Sequence, residues 1–396
     1  MVIDYRLPNE YLEQRKFNYE SLLDLAPQLR PGDAMLSWDI KDAFFHLEVR
    51  PRDRQYLCFT VLGRVLQPVV MPFGLRLAPF FWTTVCRPLV AELRRLGFRV
   101  VVYVDDFGGA PPSLPGMAAT AADVVAGVQA VRQLLDRLGL QLHPRKGVRH
   151  GPTSLPLLGH VIDTERGLLI LQPGRAGKVM NAARSLLARA VAHKRWVPAK
   201  TLRKFCGLGV STTLSVTTAR YHLRSLYSTL GGTQTGHVRQ HHQDLRDLGW
   251  WANLTGHPGL GRALWPGPPA HVIHTDASEY GWGAVLDGAL SARGFHVPRL
   301  RRAHINLLEL ATVRLARNSF RRFVTRRDTW VLLKSDSTVT VGAINALASR
   351  SSPLMRELRE LHALCSSWGV SIRAEHLPSA VNAYADRLSR ERDSTD

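Results

Sequence analysis

The run VVVYVDDFGG, residues 100–109, constrains this chain more than any other stretch of it. Apolar and aromatic residues lead directly into two adjacent carboxylates, an aromatic ring and two glycines. The apolar part predicts a strand over 98–104, buried on both faces. In a regular strand successive side chains point to opposite faces, so Asp105 and Asp106 could not serve one site from it. A tight turn suspends that alternation and lets both carboxylates face one point, which the flanking strands then hold in the core. Aspartate also populates hairpin turns with no further purpose, so the pair alone leaves both readings open.

A second strand-like run, AMLSWDI over 34–40, carries another carboxylate, Asp39, near its end. Two strands delivering acids to one place would repel unless cations sit between them. Hard oxygen ligands in small number suit Mg²⁺, which keeps waters and takes substrate phosphates as further ligands. Two such ions about 4 Å apart stabilise the attacking and leaving oxygens of an in-line phosphoryl displacement. The pattern predicts nucleotidyl transfer.

Charge points the same way. The 396 residues carry 52 Lys+Arg against 32 Asp+Glu, a net charge of +20, which calls for a polyanionic partner. From Arg166 to Gln243 there are 13 Lys or Arg and no Asp or Glu. This stretch is expected to be mostly helical, with Val179, Ala182, Ala183, Leu186, Leu187 and Ala190 on one apolar stripe and Lys178, Arg184 and Arg189 elsewhere on the same helix. Lys200, Arg203 and Lys204 follow in a second helical segment after Pro198. These six cations are expected to contact phosphates, with binding that weakens steeply in salt. The four cysteines lie far apart with no CxxC pair, which argues against a zinc site or disulfide framework. The N-terminal segment is charged throughout, and no apolar run reaches the ~18 residues of a membrane span. An intracellular chain, cytoplasmic or nuclear, is expected.

Past a Gly- and Pro-rich stretch at 255–271 the texture changes. HVIHTDA, GWGAVLDG, TWVLLKSD and VSIRAEHLP read as strands. INLLELATVRLARNSFRRFV, SPLMRELRELHALCSSWG and SAVNAYADRLSR read as helices, completing a compact mixed α/β domain. Asp276 and Asp336 lie at strand ends, and Asp386 sits on the last of these helices. Glu309 lies in a helix among Leu307, Leu308, Leu310 and Ala311, where a charge is costly unless it faces a metal. Asp336, just before a helix, is also a fair N-cap.

The order WDIKDAFF, MPFGLRLAP, YVDDF, LGLQLHPRKG and LLGHVID resembles the palm motifs of reverse transcriptases. The resemblance implies that Asp39 and Asp105 hold two metal ions, with Asp106 beside them. It also implies that the backbone at Asp42 and Ala43 contacts a dNTP triphosphate. Phe44 would crowd the sugar 2′ position, and Phe73 and Gly74 of MPFG would line the same pocket. Of the two adjacent rings, Phe45 is expected to be the core residue. Lys146 matches the lysine ascribed to protonating the leaving pyrophosphate, and Gly159 lies in what resembles the hairpin gripping the primer end. Phe73 stands where the retroviral pattern has Gln, a form similar to gypsy-type and DIRS-type retroelements. RYHLRSLY and DLRDLGWWANL resemble DIRS-type elements specifically. The family's triphosphate-binding Arg and Lys precede a segment resembling VIDYR, which here starts at Val2. A fragment or an impaired polymerase is therefore expected.

The second acidic set resembles ribonuclease H, which implies Asp276, Glu309, Asp336 and Asp386 as metal-binding acids. His376, ten residues before Asp386, matches a histidine on a mobile loop that helps activate water or release product. Ser337 stands where the family has Asn after the third acid.

The expected architecture is α/β and α+β, multidomain. Partial fingers and palm would span 1–165, a basic helical thumb and connection 166–254, a linker 255–270 and a ribonuclease H-like domain 271–396. The expected activity is RNA-directed DNA synthesis with ribonuclease H cleavage, using two Mg²⁺ per site with Mn²⁺ as a substitute. RNA template, DNA primer, RNA–DNA hybrid and dNTPs would be the partners. The alternatives are a catalytically impaired nucleic-acid-binding relic and a ribonuclease H alone.

Overall fold

The structure is a computed structural model and describes residues 3–144, 147–256, 261–298, 300, 302–324 and 329–391. It is a mixed α/β, multidomain fold of two units. The first comprises 1–188, 211–217 and 249–266, and the second comprises 189–210, 218–248 and 267–396. The basic segment 166–254 is divided between them. Among the described residues, no helix is long and apolar enough to cross a membrane.

The first unit is built on an antiparallel sheet of β1 (Met35–Asp39), β2 (Arg99–Tyr103), β3 (Asp106–Ala110) and β4 (Val148–Gly151), in the order β2-β3-β1-β4. Strand alternation sends Leu36, Trp38, Val100 and Phe107 to one core, and Met35, Val101 and Ala110 to another. Strand β2 is thus buried on both faces, as its uninterrupted valines require. Trp38 and Phe107 stack across β1 and β3 at 5.3 Å. Helices α1 (Ala78–Arg95) and α2 (Ala121–Arg137) close the first core with Trp82, Leu89, Leu93, Val131, Leu134 and Leu135. Each fully buried side chain of this kind contributes ~1.5–3 kcal/mol.

The two glycines after Asp106 have a steric cause. A Cβ on Gly109 would lie 1.9 Å from the Arg99 carbonyl oxygen, and one on Gly108 would lie 2.4 Å from Leu157 Cδ2. Only a bare backbone lets β3 sit this close to its neighbours.

A second antiparallel sheet, ordered β8-β7-β6-β5, comprises β5 (Ser154–Leu157), β6 (His160–Asp163), β7 (Leu168–Leu171) and β8 (Arg262–Ala263). Strand β8 comes from the Gly- and Pro-rich stretch, and the Trp265 indole N–H donates to the Ala26 carbonyl at 3.0 Å. Part of the expected linker is therefore packed structure of the first unit. Helix α3 (Pro173–Ala192) buries Val179, Ala183, Leu186 and Ala190 of the expected stripe, whereas Ala182 and Leu187 at its margins are half-buried.

In the second unit, α4 (Ala199–Val210) and α5 (Ala219–Leu230) precede a five-stranded sheet ordered β11-β10-β9-β12-β13. Its strands are β9 (His271–Ala277), β10 (Gly281–Leu286), β11 (Leu290–Phe295), β12 (Thr329–Ser335) and β13 (Val370–His376). Strands β9 to β11 form an antiparallel meander, whereas β9, β12 and β13 run parallel. Parallel neighbours need crossovers. These are α6 (Ile305–Ser319), then α7 (Thr338–Ala346) with α8 (Ser352–Ser367). Leu310, Val313, Phe320, Leu358 and Leu361 pack on Ile273 and Leu333 to form the core. Helix α9 (Ala383–Arg390) completes the unit. Strand β11 had no sequence signal because LSARGF is an edge strand with little buried surface.

Candidate functional site

Strands β2 and β3 are joined by the two-residue turn Val104–Asp105, with Tyr103 paired to Asp106 at its base. Val104 has φ +55°, uncommon for a β-branched residue. The Trp82 indole Nε1 donates to the Val104 carbonyl at 2.7 Å, and the Ile40 amide donates to the Asp105 carbonyl at 3.0 Å. Asp106, the first residue of β3, lies directly opposite Asp39 of β1. One carboxylate oxygen from each of Asp39, Asp105 and Asp106 lies within 4.8 Å of the others. Asp39 is buried and the other two are half-buried.

The remaining residues expected around this site divide unevenly. Asp42 has φ +50° and opens the 3₁₀ turn Ala43–His46. Ala43 is buried, while Phe73 and Gly74 are exposed. The expected roles of the two adjacent rings are reversed, since Phe44 is 8% exposed and Phe45 is 46% exposed. The left-handed step at Asp42 starts a tight turn that aims the first ring inward and the second outward. Both rings lie against Phe73, at 5.1 and 5.2 Å. Gly159 and Leu158 both have positive φ in the β5–β6 turn, and the Arg175 guanidinium occupies the space a Cβ at 159 would need. Lys146 lies outside the described residues.

The second unit holds a second acidic cluster. Asp276 is on β9, Glu309 on α6, and Asp336 immediately follows β12. One carboxylate oxygen from each lies within 4.8 Å of the others. Burial pushes Glu309 up to about 8, helped by the charges of Asp276 and Asp336. Burial likewise pushes Asp276 up to about 6, with Asp336 and Asp386 adding to the rise and a hydrogen bond from Ser389 opposing it. Glu309 accepts one bond, from the Ala277 amide at 3.3 Å, and its Oε2 is buried with no hydrogen-bond partner. Asp386 on α9 is close enough to repel Asp276 but stands outside the 4.8 Å group and takes the Arg390 guanidinium at 2.7 Å.

His376 is the last residue of β13, paired to Ser335 beside Asp336, so it is held on a strand and not on a loop. Its parallel ladder with β12 fixes the backbone there. The cap of α7 is Ser337, whose hydroxyl accepts from the Thr340 amide at 3.2 Å. Asp336 is thereby left facing the cluster, with Ser379 Oγ donating to it at 2.6 Å.

The six expected phosphate contacts do not form one set. Lys178 and Arg184 belong to the first unit, and Arg189, Lys200, Arg203 and Lys204 to the second. Five of these side chains are exposed, but Arg203 donates to the carbonyls of Thr233 and Gln234. Sequence reading missed Trp82, Ser379 and Ser389. A hydroxyl one helical turn after Asp386 was a readable signal for Ser389, whereas nothing local pointed to Trp82.

Known proteins resemble the chain in sequence and in fold. Residues 2–162 match the family model described as reverse transcriptase (RNA-dependent DNA polymerase). Over 106 residues the chain is 30% identical to the genome polyprotein of Petunia vein clearing virus, and 26% identical to the Tf2-3 transposon polyprotein of Schizosaccharomyces pombe. Those residues are 27% of this chain but only 5% and 8% of the two polyproteins. The foamy viral protease-reverse transcriptase in complex with RNA/DNA hybrid aligns with a TM-score of 0.53 at 15% identity, covering 100% of this chain and 50% of that one. Its complex with dsDNA aligns at 0.52, also at 15% identity, covering 95% and 74%. At such identity the likeness is one of fold. Over residues 2–162, where the paired aspartates lie, the chain matches the reverse transcriptase family.

Proposed function

We propose that this chain is an RNA-directed DNA polymerase with a ribonuclease H activity on RNA–DNA hybrids, from a retrotransposon most like the DIRS type. The observation that carries the reading is the presence of two carboxylate clusters, one per unit, each within 4.8 Å. Three acids drawn together with a buried, unpartnered Glu309 Oε2 fit a hard divalent cation, and the all-oxygen donor set suits Mg²⁺, with Mn²⁺ as a substitute. Asp39, Asp105 and Asp106 would hold it at the first site, and Asp276, Glu309 and Asp336, with Asp386 beside them, at the second. Bound there, the ions supply nucleophile activation and charge neutralisation for phosphoryl displacement.

The chain's own groups supply the rest. The Val104–Asp105 turn presents the Asp105 carboxylate, and β3 that of Asp106, from a fixed backbone. Asp42, Ala43, Phe73 and Gly74 would receive the dNTP, with Phe45 as the exposed ring beside Phe73, and Gly159 would lie by the primer end. Lys146 and His376 are the candidate proton carriers, one for each reaction. The solved relatives in complex with RNA/DNA hybrid and dsDNA support nucleic acid as the partner, as does the net charge of +20.

The test is primer extension on an RNA template with dNTPs and Mg²⁺, beside hybrid cleavage, in the chain and in its Asp105→Asn and Asp276→Asn variants. Each substitution is expected to abolish one activity and spare the other. Cleavage surviving Asp276→Asn would overturn the second assignment. Hybrid binding with neither reaction would mark a non-catalytic binding protein, and cleavage without extension a ribonuclease H alone.

A further inference from the structure

Three carboxylates within 4.8 Å repel one another, and a buried one relieves the strain by rotating away unless something holds it. For Asp276 the restraint is visible. Ser389 Oγ lies 2.7 Å from Asp276 Oδ2 and 2.8 Å from the Asp386 carbonyl oxygen. A hydroxyl has one hydrogen, and an ionised carboxylate is the stronger acceptor of the two. Ser389 is 1% exposed, so water does not compete for that bond.

Ser389 is itself held with little play. Its carbonyl accepts from Ser278 Oγ at 2.6 Å, just beyond the end of β9 that carries Asp276. Helix α9 lies so close to β10 that a Cβ on Gly283 would sit 2.4 Å from the Ala385 carbonyl oxygen and 2.8 Å from the Ser389 amide. Gly281 is similarly confined, with the Ser389 carbonyl oxygen 3.2 Å from its would-be Cβ. The helix therefore docks on a glycine floor, and that docking delivers the Ser389 hydroxyl to Asp276.

We propose that Ser389 is a positioning residue of the second carboxylate site. Its hydroxyl fixes the Asp276 side chain in the orientation that binds a divalent cation, so α9 contributes to that site through Ser389 as well as through Asp386. The assignment rests on the proposed reading of this cluster as a cation site, and it adds a residue that touches neither ion nor substrate.

The experiment compares the full chain with its Ser389→Ala variant in two measurements. One is the Mg²⁺ dependence of hybrid cleavage. The other is the Mg²⁺-dependent rise in Tm, measured with Asp39→Asn and Asp105→Asn in both proteins so that the first cluster does not contribute. Loss of the hydroxyl is expected to raise the Mg²⁺ requirement roughly tenfold or more in both, the scale of groups that orient metal ligands. Cleavage at saturating Mg²⁺ should return close to the parent rate. An unchanged Mg²⁺ midpoint, even with a lower urea midpoint in chelator, would reduce Ser389 to a structural residue and overturn the proposal. Asp276→Asn separates the two levels. If it leaves the Mg²⁺-dependent Tm rise intact, the cation reading itself fails. If it removes that rise while Ser389→Ala has no effect, only the role of Ser389 fails.

Discussion

Trp82 and Val104 are joined by a 2.7 Å hydrogen bond in which the buried indole N–H of helix α1 donates to the carbonyl of a left-handed turn residue. A valine at φ +55° persists only where its surroundings over-determine it. The helix thus supports the turn that carries Asp105. Trp82→Phe keeps most of the ring volume and removes the donor, leaving a carbonyl without its partner. A stability loss of about 1–3 kcal/mol is expected in urea unfolding. Primer extension should fall further than hybrid cleavage, since only the first cluster sits on this turn.

The raised carboxylates make stability depend on pH in a definite direction. Glu309 moves from an ordinary 4.5 to about 8, and Asp276 from 3.8 to about 6. The folded state binds these protons more tightly than the unfolded chain. Their contribution is therefore fully present below about pH 4 and is lost as pH rises towards about 8. In chelator, Glu309→Gln should flatten that slope, gaining several kcal/mol relative to the parent between about pH 5 and 8. An equal slope in both proteins, read by urea unfolding across that range, would contradict the burial argument.

The two glycines of DDFGG should differ in their tolerance of a methyl group. At Gly108 the obstacle is the end of the Leu157 side chain, at 2.4 Å, which can move, so Gly108→Ala should cost about 1–3 kcal/mol. At Gly109 the obstacle is the Arg99 backbone oxygen, at 1.9 Å, which cannot move without parting β2 from β3. Gly109→Ala is expected to cost more than that range or to prevent folding. Thermal unfolding and soluble yield of the two variants distinguish these outcomes.

Lys200 and Lys204 are exposed on α4, whereas Arg203 between them is engaged by the carbonyls of Thr233 and Gln234. Lys200→Ala and Lys204→Ala should each lower the slope of log affinity for hybrid against log salt by about 1 if the lysine meets a phosphate. Arg203→Ala should instead lower stability and leave that slope nearly unchanged. Binding titrations at several salt concentrations, with urea unfolding alongside, test all three.

Much of this was legible in local sequence. The apolar run of β2, the stripe of α3 and the strand–helix alternation beyond residue 270 follow from periodicity alone. So does the conflict between two neighbouring aspartates and a regular strand, which the Val104–Asp105 turn resolves. What could not be read was long-range or steric. The burial of Phe44 over Phe45 depends on the left-handed conformation of Asp42. Strand β11 is defined by its neighbour β10 and has little apolar patterning of its own. Capping by Ser337 in place of Asp336 turns on a choice between two adjacent side chains that both suit the position.

The acids of the second cluster are spread along the chain, at 276, 309 and 336, and the hydroxyl that donates to the first of them sits at 389, on α9. The Asp39, Asp105 and Asp106 cluster lies on β1 to β3, which leave the ribosome long before α9. A polypeptide interrupted between those points would carry the first set of acids, with Asp276 still without the Ser389 hydroxyl. Chain order thus sets the order in which the two clusters can assemble, and the docking of α9 on Gly281 and Gly283 of β10 is the last contact the second acquires.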